Sequence, residues 1–278
     1  MSERAVHLGR FGGIGLWLEA PRDPVGAPTD VLERAAGAVE AAEGAGIASV
    51  WVSASTEPPG VTTPYEAYSL LGALAVRSER VLLGVVVDGT ERRAPSILAK
   101  IVSGIDVISH GRGVLALDGD PTVDSDGQRL AEALAVCRSV LVDEHPTYGG
   151  RIYTIQDAVN RPAPVQVGGV PVVVHLPGDG PGKSSLLELA ARLADAVVVD
   201  GVAGGVVDAC GAVADAGGGR LLPDPCAVLG RIDSASVVGS SAVAEAVDGV
   251  RSAGAAGCLV GLPYPWDPDV AAALARLW

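Results

Sequence analysis

The sequence predicts a closed (β/α)8 barrel, the α/β fold known as the TIM barrel, and three observations support this prediction. Short apolar segments alternate with amphipathic helical segments, and the chain contains eight pairs of this kind. Its 278 residues are close to the roughly 250 residues that eight such units occupy in known barrels. The apolar segments are nearly uninterrupted, which is typical of parallel strands covered by helices on both faces. An open doubly wound sheet would produce the same alternation, but eight evenly spaced units favour closure.

The segment from Val81 to Asp120 shows the repeating unit most clearly. An apolar strand is followed by a polar turn, by a helix that begins near Pro95, and by a second strand that ends in carboxylates. Proline suits the first turn of a helix because its φ is already helical. Spacing of three and four residues predicts one buried face on this helix. The positions concerned are Ile97, Leu98, Ile101, Ile105 and Ile108.

The other units follow the same pattern on both sides of this segment. The remaining predicted strands are 14–18, 49–53, 171–175, 196–200, 227–232 and 258–262, and the remaining predicted helices are about 29–43, 64–78, 126–142, 184–193, 204–216, 240–253 and 267–277. Residues 143–170 interrupt the alternation with turn-forming residues, and a hairpin is predicted around Tyr148–Arg151. We therefore expect a single barrel domain over residues 1–278 with one non-repeating excursion.

Composition and charge restrict the classes of function. The chain is 49% hydrophobic and 19% charged, and its formal net charge is −13. Such an acidic protein is not expected to bind nucleic acid or an anionic membrane, and no apolar run reaches the ~20 residues of a membrane span. The N-terminal residues contain no apolar signal core, so a cytoplasmic location is expected. The four cysteines lie far apart without CxxC spacing, which predicts free thiols and no metal site.

Candidate site residues follow from the barrel, because the active site of such barrels lies at the carboxyl ends of the strands. The residues that end or follow the predicted strands include Glu19, Ser53, Asp88, Asp118, Asp120, His175, Asp200, Asp233, Tyr264 and Trp266. His175 is the strongest candidate for a general acid or base, since the pKa of histidine lies near neutrality. Each of these residues could instead be a solvated loop residue or a helix cap.

A glycine-rich loop before the fifth helix is a candidate phosphate site. Residues 177–185 have the sequence PGDGPGKSS. Backbone N–H groups at a helix N-terminus bind anions, and Lys183 adds a positive charge. The loop is not a Walker A motif, because Pro177 stands where the first glycine of GxxxxGK is required. A flexible loop with an ordinary helix cap is the alternative interpretation.

Several segments resemble the bacterial luciferase-like superfamily of flavin-dependent monooxygenases and coenzyme F420-dependent oxidoreductases. The likeness is most specific from Pro64 to Leu117, which contains LLGVVVDG and APSILAKIVSGIDVISHGRGVLAL, and it continues in LLELAARLADAVVV and VVGSSAVAEAVDGVRSAGAAGCLVGLP. The resemblance implies a TIM barrel with coenzyme F420 or FMN at its carboxyl-terminal mouth. Val86 and Val87 fall where several relatives have a non-proline cis peptide bond behind the flavin ring.

The resemblance also implies roles for particular residues. Cofactor contacts would come from Ser53, Val86, Val87, Gly178, Gly180, Gly182, Lys183 and Ser184, and acid–base chemistry from His175, Glu19 or Asp118. The implied reaction is transfer of a hydride between the cofactor and a small organic substrate. The apolar, Ala- and Gly-rich helices are compatible with a homodimer, as in relatives.

The sequence departs from the family pattern in several places, and two of these bear directly on the chemistry. Relatives end the second strand with a triplet of the Ser-Asp-His type, whereas this chain has Ser53-Ala54-Ser55. Relatives insert a long segment after the fourth strand, whereas Asp118-Gly119-Asp120-Pro121 leads almost directly into a helix. Two hypotheses follow: an F420- or flavin-dependent oxidoreductase or monooxygenase, and a degenerate barrel that has lost the cofactor and serves as a partner subunit or small-ligand-binding protein.

Overall fold

The computed structural model describes residues 11–19, 30–54, 65–87, 93–122, 124–178, 182–200, 204–216, 222, 226–232 and 240–278. The strands within these residues are β1 (Gly13–Leu18), β2 (Ser49–Ala54), β3 (Leu82–Val87), β4 (Gly113–Asp118), β5 (Tyr148–Gly149), β6 (Thr154–Ile155), β7 (Val172–Leu176), β8 (Ala196–Asp200), β9 (Ala227–Ile232) and β10 (Gly257–Leu262). The helices are α1 (Val31–Gly44), α2 (Ala67–Arg77), α3 (Pro95–Ile108), α4 (Gln128–Val142), α5 (Lys183–Leu193), α6 (Gly204–Asp215), α7 (Ser240–Ser252) and α8 (Pro268–Leu274).

Eight parallel strands close into a barrel in the order β1-β10-β9-β8-β7-β4-β3-β2, and β5 and β6 form a separate two-stranded sheet. The predicted TIM barrel is confirmed. Within the described part of the chain, none of the helices has the length and apolar character needed to cross a membrane.

The interior of the barrel is a packed apolar core. Side chains alternate along a strand, so every second residue points toward the barrel axis; the buried inward set includes Trp51, Leu82, Val114, Val173, Val198, Leu229 and Leu259. Trp51 lies over Gly84, where an added Cβ would come within 2.5 Å of the indole ring. The Trp51 Nε1–H donates to Ser49 Oγ at 2.9 Å, which satisfies its polar group. Because this core leaves no room below, a ligand must bind at the mouth.

Helix α3 differs in one respect from the sequence prediction. Its buried apolar residues include Leu98, Ala99, Val102 and Ile105. Ile97 and Ile108, which were predicted to be buried, are 52% and 49% exposed. The pattern of large aliphatic residues misplaced the face because the small side chain of Ala99 lies on the side that packs against the sheet.

The excursion at residues 143–170 contains the hairpin of β5 and β6 and is fixed to the barrel by Glu132 of α4. The Glu132 carboxylate accepts hydrogen bonds from the backbone N–H groups of Arg151, Ile152 and Tyr153 at 3.0, 2.9 and 3.0 Å. These bonds, led by the one from Tyr153, lower the pKa of Glu132 to about 2. Gly150 is required in this turn, because a Cβ there would lie 2.1 Å from Glu132 Oε2.

Asp106 of α3 fixes the end of the same excursion. The buried carboxylate accepts from the backbone N–H groups of Val165 and Gln166 at 2.8 and 3.2 Å and from Gln166 Nε2 at 2.6 Å. It also accepts from Gly113 N at 3.2 Å, at the start of β4. A carboxylate that is fully hydrogen-bonded can be buried without a large penalty. The excursion is therefore anchored at two points by acidic residues with structural roles.

We expect Glu132→Gln to lower the melting temperature, because a neutral amide oxygen accepts hydrogen bonds less strongly than a carboxylate. The difference from wild type should be full above the usual carboxyl pKa of 4.5 and should vanish as the pH falls to about 2, where the wild-type carboxylate is protonated. Thermal unfolding followed by circular dichroism at several pH values checks this. Glu144→Gln is the matched control, since Glu144 lies in the same excursion and its side chain is 76% exposed. Equal effects of the two variants would contradict the prediction.

Candidate active site

A layer of polar and aromatic side chains closes the mouth of the barrel. Its members come from six strands: Trp17 (β1), Ser53 (β2), Asp118 (β4), His175 (β7), Asp200 (β8) and Arg231 (β9). Apart from Trp17, each lies two residues after a buried interior residue of the same strand, so the two-residue period directs it toward the barrel axis. Backbone pairing aligns Asp118 with His175 and Asp200 with Arg231. Closure of the barrel thus brings together residues that are far apart in sequence.

The imidazole of His175 lies between two carboxylates. Its Nδ1 is 2.9 Å from Asp118 Oδ1, and its Nε2 is 3.0 Å from Asp200 Oδ1. The contact at Nδ1 is an ion pair when the imidazole is protonated. His175 is 3% exposed. A buried imidazole with a carboxylate at each nitrogen is stabilised in its protonated form.

Arg231 adds a second positive charge to this cluster. Its Nη1 lies 3.1 Å from Asp200 Oδ1 and 3.1 Å from His175 Nε2. Its guanidinium carbon lies 4.2 Å from the centroid of the Trp17 ring, within the range of a cation–π interaction. The Trp17 ring packs against His175 with centroids 5.3 Å apart, and its Nε1–H donates to Ser53 Oγ at 2.5 Å. Trp17 therefore joins Ser53 of β2 to the charged groups on the other side of the barrel.

Burial and charge act on the pKa of His175 in opposite directions. Burial is the largest single influence and lowers the pKa, but the contacts with Asp118 and Asp200 together outweigh it and raise the pKa above the usual value of 6.5. For Asp200, burial raises the pKa, whereas the hydrogen bond to His175 and the charges of His175 and Arg231 lower it below the usual 3.8. At pH 6.5 the cluster therefore contains mainly imidazolium and an ionised Asp200.

Glu19, a predicted catalytic residue, lies one position beyond β1. Its backbone N–H donates to Leu262 O at 3.1 Å, and its carbonyl oxygen accepts from Trp266 Nε1 at 3.0 Å. Trp266, at the end of the neighbouring strand, packs against Tyr264 with ring centroids 5.2 Å apart. These contacts show a role of Glu19 and Trp266 in joining the ends of β1 and β10. Asp120 accepts from Thr122 N at 2.7 Å and stabilises the turn after β4.

Val86 and Val87 end strand β3, beside Ser53 and Ala54 of β2. Arg161–Pro162 and Tyr264–Pro265 are cis peptide bonds in the described part of the chain. Asp88, Gly180 and Asp233, which were named as site residues in the sequence analysis, lie outside the described residues, as does Ser55.

The described part of the glycine-rich loop contacts the charged cluster. The backbone N–H of Gly178 donates to Asp200 Oδ2 at 3.3 Å, and Lys183 Nζ donates to Gly178 O. Gly182 is the N-cap of α5 with a φ of +93°, and as a glycine it has no side chain to cap this helix. Ser184 was expected to be able to cap; instead it lies inside the first turn with an exposed side chain.

Sequence analysis missed two members of the layer, Arg231 and Trp17. A signal for Arg231 was present, because it has the same inward parity as Ala227 and Leu229 in AVLGRI. A charged residue at an inward position near the carboxyl end of a strand indicates the mouth of the barrel. Asp233, the residue after this strand, was predicted as a site residue instead of Arg231, the last inward position within the strand.

No metal or thiol chemistry is indicated in the part of the chain that is described. It contains no group of three or more His, Cys, Asp or Glu residues arranged to hold a metal ion. The four cysteines are free. Burial raises the pKa of Cys137 and Cys258 to about 12, so these two thiols are not nucleophilic at neutral pH.

Known proteins share sequence with this chain over much of its length. The family model described as luciferase-like monooxygenase matches residues 13–209. The F420-dependent glucose-6-phosphate dehydrogenase of Microbacterium testaceum (strain StLB037) is 30% identical over 173 residues, which cover 56% of this chain and 49% of that protein. The chain spans about half the length of the curated relatives it matches.

Solved structures share the fold at lower identity. An F420-dependent secondary alcohol dehydrogenase in complex with an F420–acetone adduct has a TM-score of 0.75 at 16% identity, with 96% of this chain and 98% of that chain covered. The oxygenating constituent of 3,6-diketocamphane monooxygenase of Pseudomonas putida, in complex with FMN, has a TM-score of 0.58 at 15% identity, with 78% and 66% covered. At these identities the likeness concerns the fold alone.

Fold, family model and relatives agree on the class of protein. The closed eight-stranded barrel is a fold that this chain shares with the solved structures named above. The chain belongs to the luciferase-like monooxygenase family, since the family model matches more than half of it. The named homologues use coenzyme F420 or FMN.

The raised pKa of His175 predicts how stability depends on pH. A group whose pKa is higher in the folded protein stabilises the fold fully below its unfolded pKa, and the contribution is lost as the pH rises through the folded pKa. We therefore expect the free energy of unfolding of wild type to decrease relative to that of His175→Gln as the pH rises above 6.5. Urea unfolding at a series of pH values checks this, with the exposed His110→Asn as the control. A difference between wild type and His175→Gln that is independent of pH would contradict it.

Proposed function

We propose that this protein is an oxidoreductase that transfers a hydride between coenzyme F420 or FMN and a small organic substrate. The observation that supports this most is the cluster of Asp118, His175, Asp200 and Arg231 at the barrel mouth. Barrels of this kind carry their acid–base groups at that end. Membership of the luciferase-like family and the F420-dependent relatives support the choice of cofactor.

The residues at the mouth fit a cofactor that lies above the polar layer, outside the barrel interior. Trp17 and His175 are 4% and 3% exposed, so the layer leaves no space for a ring system below it. At the rim, the N-cap residue Gly182 has no side chain to cap α5, and helix N-termini of this kind bind phosphate. Gly182 suits this position, because its φ is positive and a Cβ would lie 3.2 Å from Ser125 O. Lys183 would add a positive charge to the phosphate contact.

The residues of the chain would supply binding and proton transfer. The cofactor, when bound, supplies or accepts the hydride. Ser53, Val86 and Val87 would border the cofactor from β2 and β3. The His175 cluster would hold the proton that a substrate oxygen gains on reduction or loses on oxidation. Glu19 remains a second candidate for this role on the opposite side of the mouth.

The chemistry of the accessible cluster favours a class of substrate. The side chains of Asp200 and Arg231 are 26% and 15% exposed, so a carboxylate and a guanidinium face the mouth together. A hydroxyl group of a ligand can donate a hydrogen bond to the Asp200 carboxylate, and a hydroxyl or carbonyl oxygen can accept one from the Arg231 guanidinium. An alcohol, aldehyde or ketone is therefore the proposed substrate class.

A second hypothesis is that the barrel has lost the cofactor and serves as a partner subunit or small-ligand-binding protein. The specific observation in its favour is the triplet Ser53-Ala54-Ser55 after the second strand. It lacks the acid and the imidazole of the Ser-Asp-His type of triplet that the family resemblance leads one to expect there. Ser53 contributes to the layer instead by accepting from Trp17.

Titration of the purified protein with coenzyme F420 and with FMN, followed by absorbance and fluorescence, tests the proposed function. We expect a micromolar dissociation constant for one of them. Absence of binding for both would contradict the oxidoreductase and favour the second hypothesis.

Lys183→Ala is expected to weaken binding of the cofactor by about tenfold, because one charge-assisted contact to phosphate contributes roughly 1.4 kcal/mol or more. Titration of this variant measures the change. Lys100→Ala is the matched control, since Lys100 lies on the outer helix α3, away from the mouth. The same loss of affinity in both variants would show that Lys183 has no specific contact.

A further inference from the structure

We propose that Asp200 is the residue that exchanges a proton with a ligand in the barrel mouth and that His175 is the buried store of that proton. In this proposal Arg231 is a positioning residue that donates to His175 Nε2 after the proton has left. The statement about a ligand rests on the proposed function, whereas the proton path is a property of the protein itself.

Exposure decides which member of the cluster a ligand can touch. The side chains of His175 and Asp118 are 4% and 7% exposed, whereas that of Asp200 is 26% exposed. Asp200 Oδ2 also accepts from the backbone N–H of Gly178, at the start of the glycine-rich loop. The Asp200 carboxylate therefore lies between the buried imidazole and the rim. His175 can exchange protons with the mouth through this carboxylate.

The geometry around His175 Nε2 provides a partner for both protonation states. Nε2, Asp200 Oδ1 and Arg231 Nη1 form a triangle with sides of 3.0, 3.1 and 3.1 Å. When Nε2 carries a proton, it donates to Asp200. When it does not, Arg231 Nη1 can donate to Nε2 from the same distance. Since a buried polar atom without a partner is unfavourable, the second partner makes loss of the proton easier.

The proton transfer balances in two steps. The Nε2–H bond of the imidazolium breaks as an O–H bond forms on Asp200, and that O–H bond breaks as one forms on a basic oxygen of the ligand, such as an alkoxide. His175 becomes neutral, Asp200 returns to its ionised form, and the ligand loses its negative charge. The reverse sequence removes a proton from an alcohol. No electrons are transferred in either step.

The charged groups that face His175 come from the strands packed against its ring. β4 contributes Asp118, β8 contributes Asp200 and β9 contributes Arg231, while β1 contributes the uncharged ring of Trp17. The two carboxylates favour the protonated imidazole, and the guanidinium disfavours it. Arg231 therefore makes the proton easier to release than the carboxylates alone would allow.

Nitrogen-15 NMR of histidine-labelled protein tests the proton path without a ligand. The His175 signals are assigned by their absence in His175→Gln, and two quantities are measured: the pKa of His175 and the rate at which its Nε2–H exchanges with water. We expect Asp200→Asn to lower this pKa by about one unit. Exchange should slow by about a hundredfold, the low end of the contribution of a positioned acid–base group. Arg231→Gln should raise the pKa by about one unit.

Asp118→Asn separates the proton path from simple electrostatics. It removes a carboxylate from the other side of the ring, so the pKa of His175 should fall as in Asp200→Asn, but Nε2–H exchange should stay fast. Equal slowing in the two variants, or no slowing in Asp200→Asn, would overturn the path through Asp200. An unchanged pKa in Arg231→Gln would overturn the role of Arg231. Asp200→Ser serves in place of Asp200→Asn if the latter does not fold, and Asp208→Asn and Arg161→Gln are controls at exposed positions.

Addition of the cofactor distinguishes this proposal from the proposed function. If coenzyme F420 or FMN binds, its presence over Asp200 should slow Nε2–H exchange in wild type, and an unchanged rate at saturation would overturn the contact between Asp200 and the ligand. If neither cofactor binds, the proposed function fails, and the exchange rates of the variants still decide whether the proton path exists.

Discussion

The buried imidazole of His175 is compatible with a stable fold because two carboxylates and a guanidinium surround it. An isolated charge in such a place would cost several kcal/mol. When His175 is protonated, the positive charges of its imidazolium and of the Arg231 guanidinium balance the negative charges of Asp118 and Asp200. This balance requires fixed registers between β4, β7, β8 and β9, because a shift by one residue would turn the side chains of a strand to the opposite face. Closure of the barrel and assembly of the cluster therefore depend on each other.

Acidic residues elsewhere in the protein have a different role. Glu43 accepts from the backbone N–H groups of Glu79, Arg80 and Val81, and Glu132 does the same for the hairpin of the excursion. Their carboxylates replace the hydrogen bonds that the chain loses between regular elements. At the mouth, by contrast, the contacts among Asp118, His175, Asp200 and Arg231 join side chains to side chains. Side-chain contacts can change with protonation or with a ligand while the backbone stays in place.

The architecture could be predicted from the sequence because it depends on local periodicity. The site could be predicted only in part, because it depends on distances between residues of different strands. Alternation and the count of eight evenly spaced units indicated the barrel, and the ends of the strands indicated Asp118, His175 and Asp200 as residues of one rim. The triangle around His175 Nε2 could not be predicted, since it follows from the relative displacement of three neighbouring strands. Ile97 was misplaced because pattern analysis weights large side chains above Ala99.

The cluster itself bears on the choice between an active enzyme and a degenerate barrel. Buried ion pairs are poor stabilisers, and replacing such a group by apolar side chains of similar volume is often neutral or favourable. A barrel with only a structural role would therefore lose nothing by an apolar layer at its mouth, like the layer of Val173, Val198 and Leu229 directly below. This chain instead has two acids, an imidazole and a guanidinium, with Asp200 and Arg231 partly exposed and His175 able to bond in either protonation state. Such a cluster does not stabilise the fold as well as apolar side chains would, but it can transfer a proton. Its presence favours the oxidoreductase over the degenerate barrel.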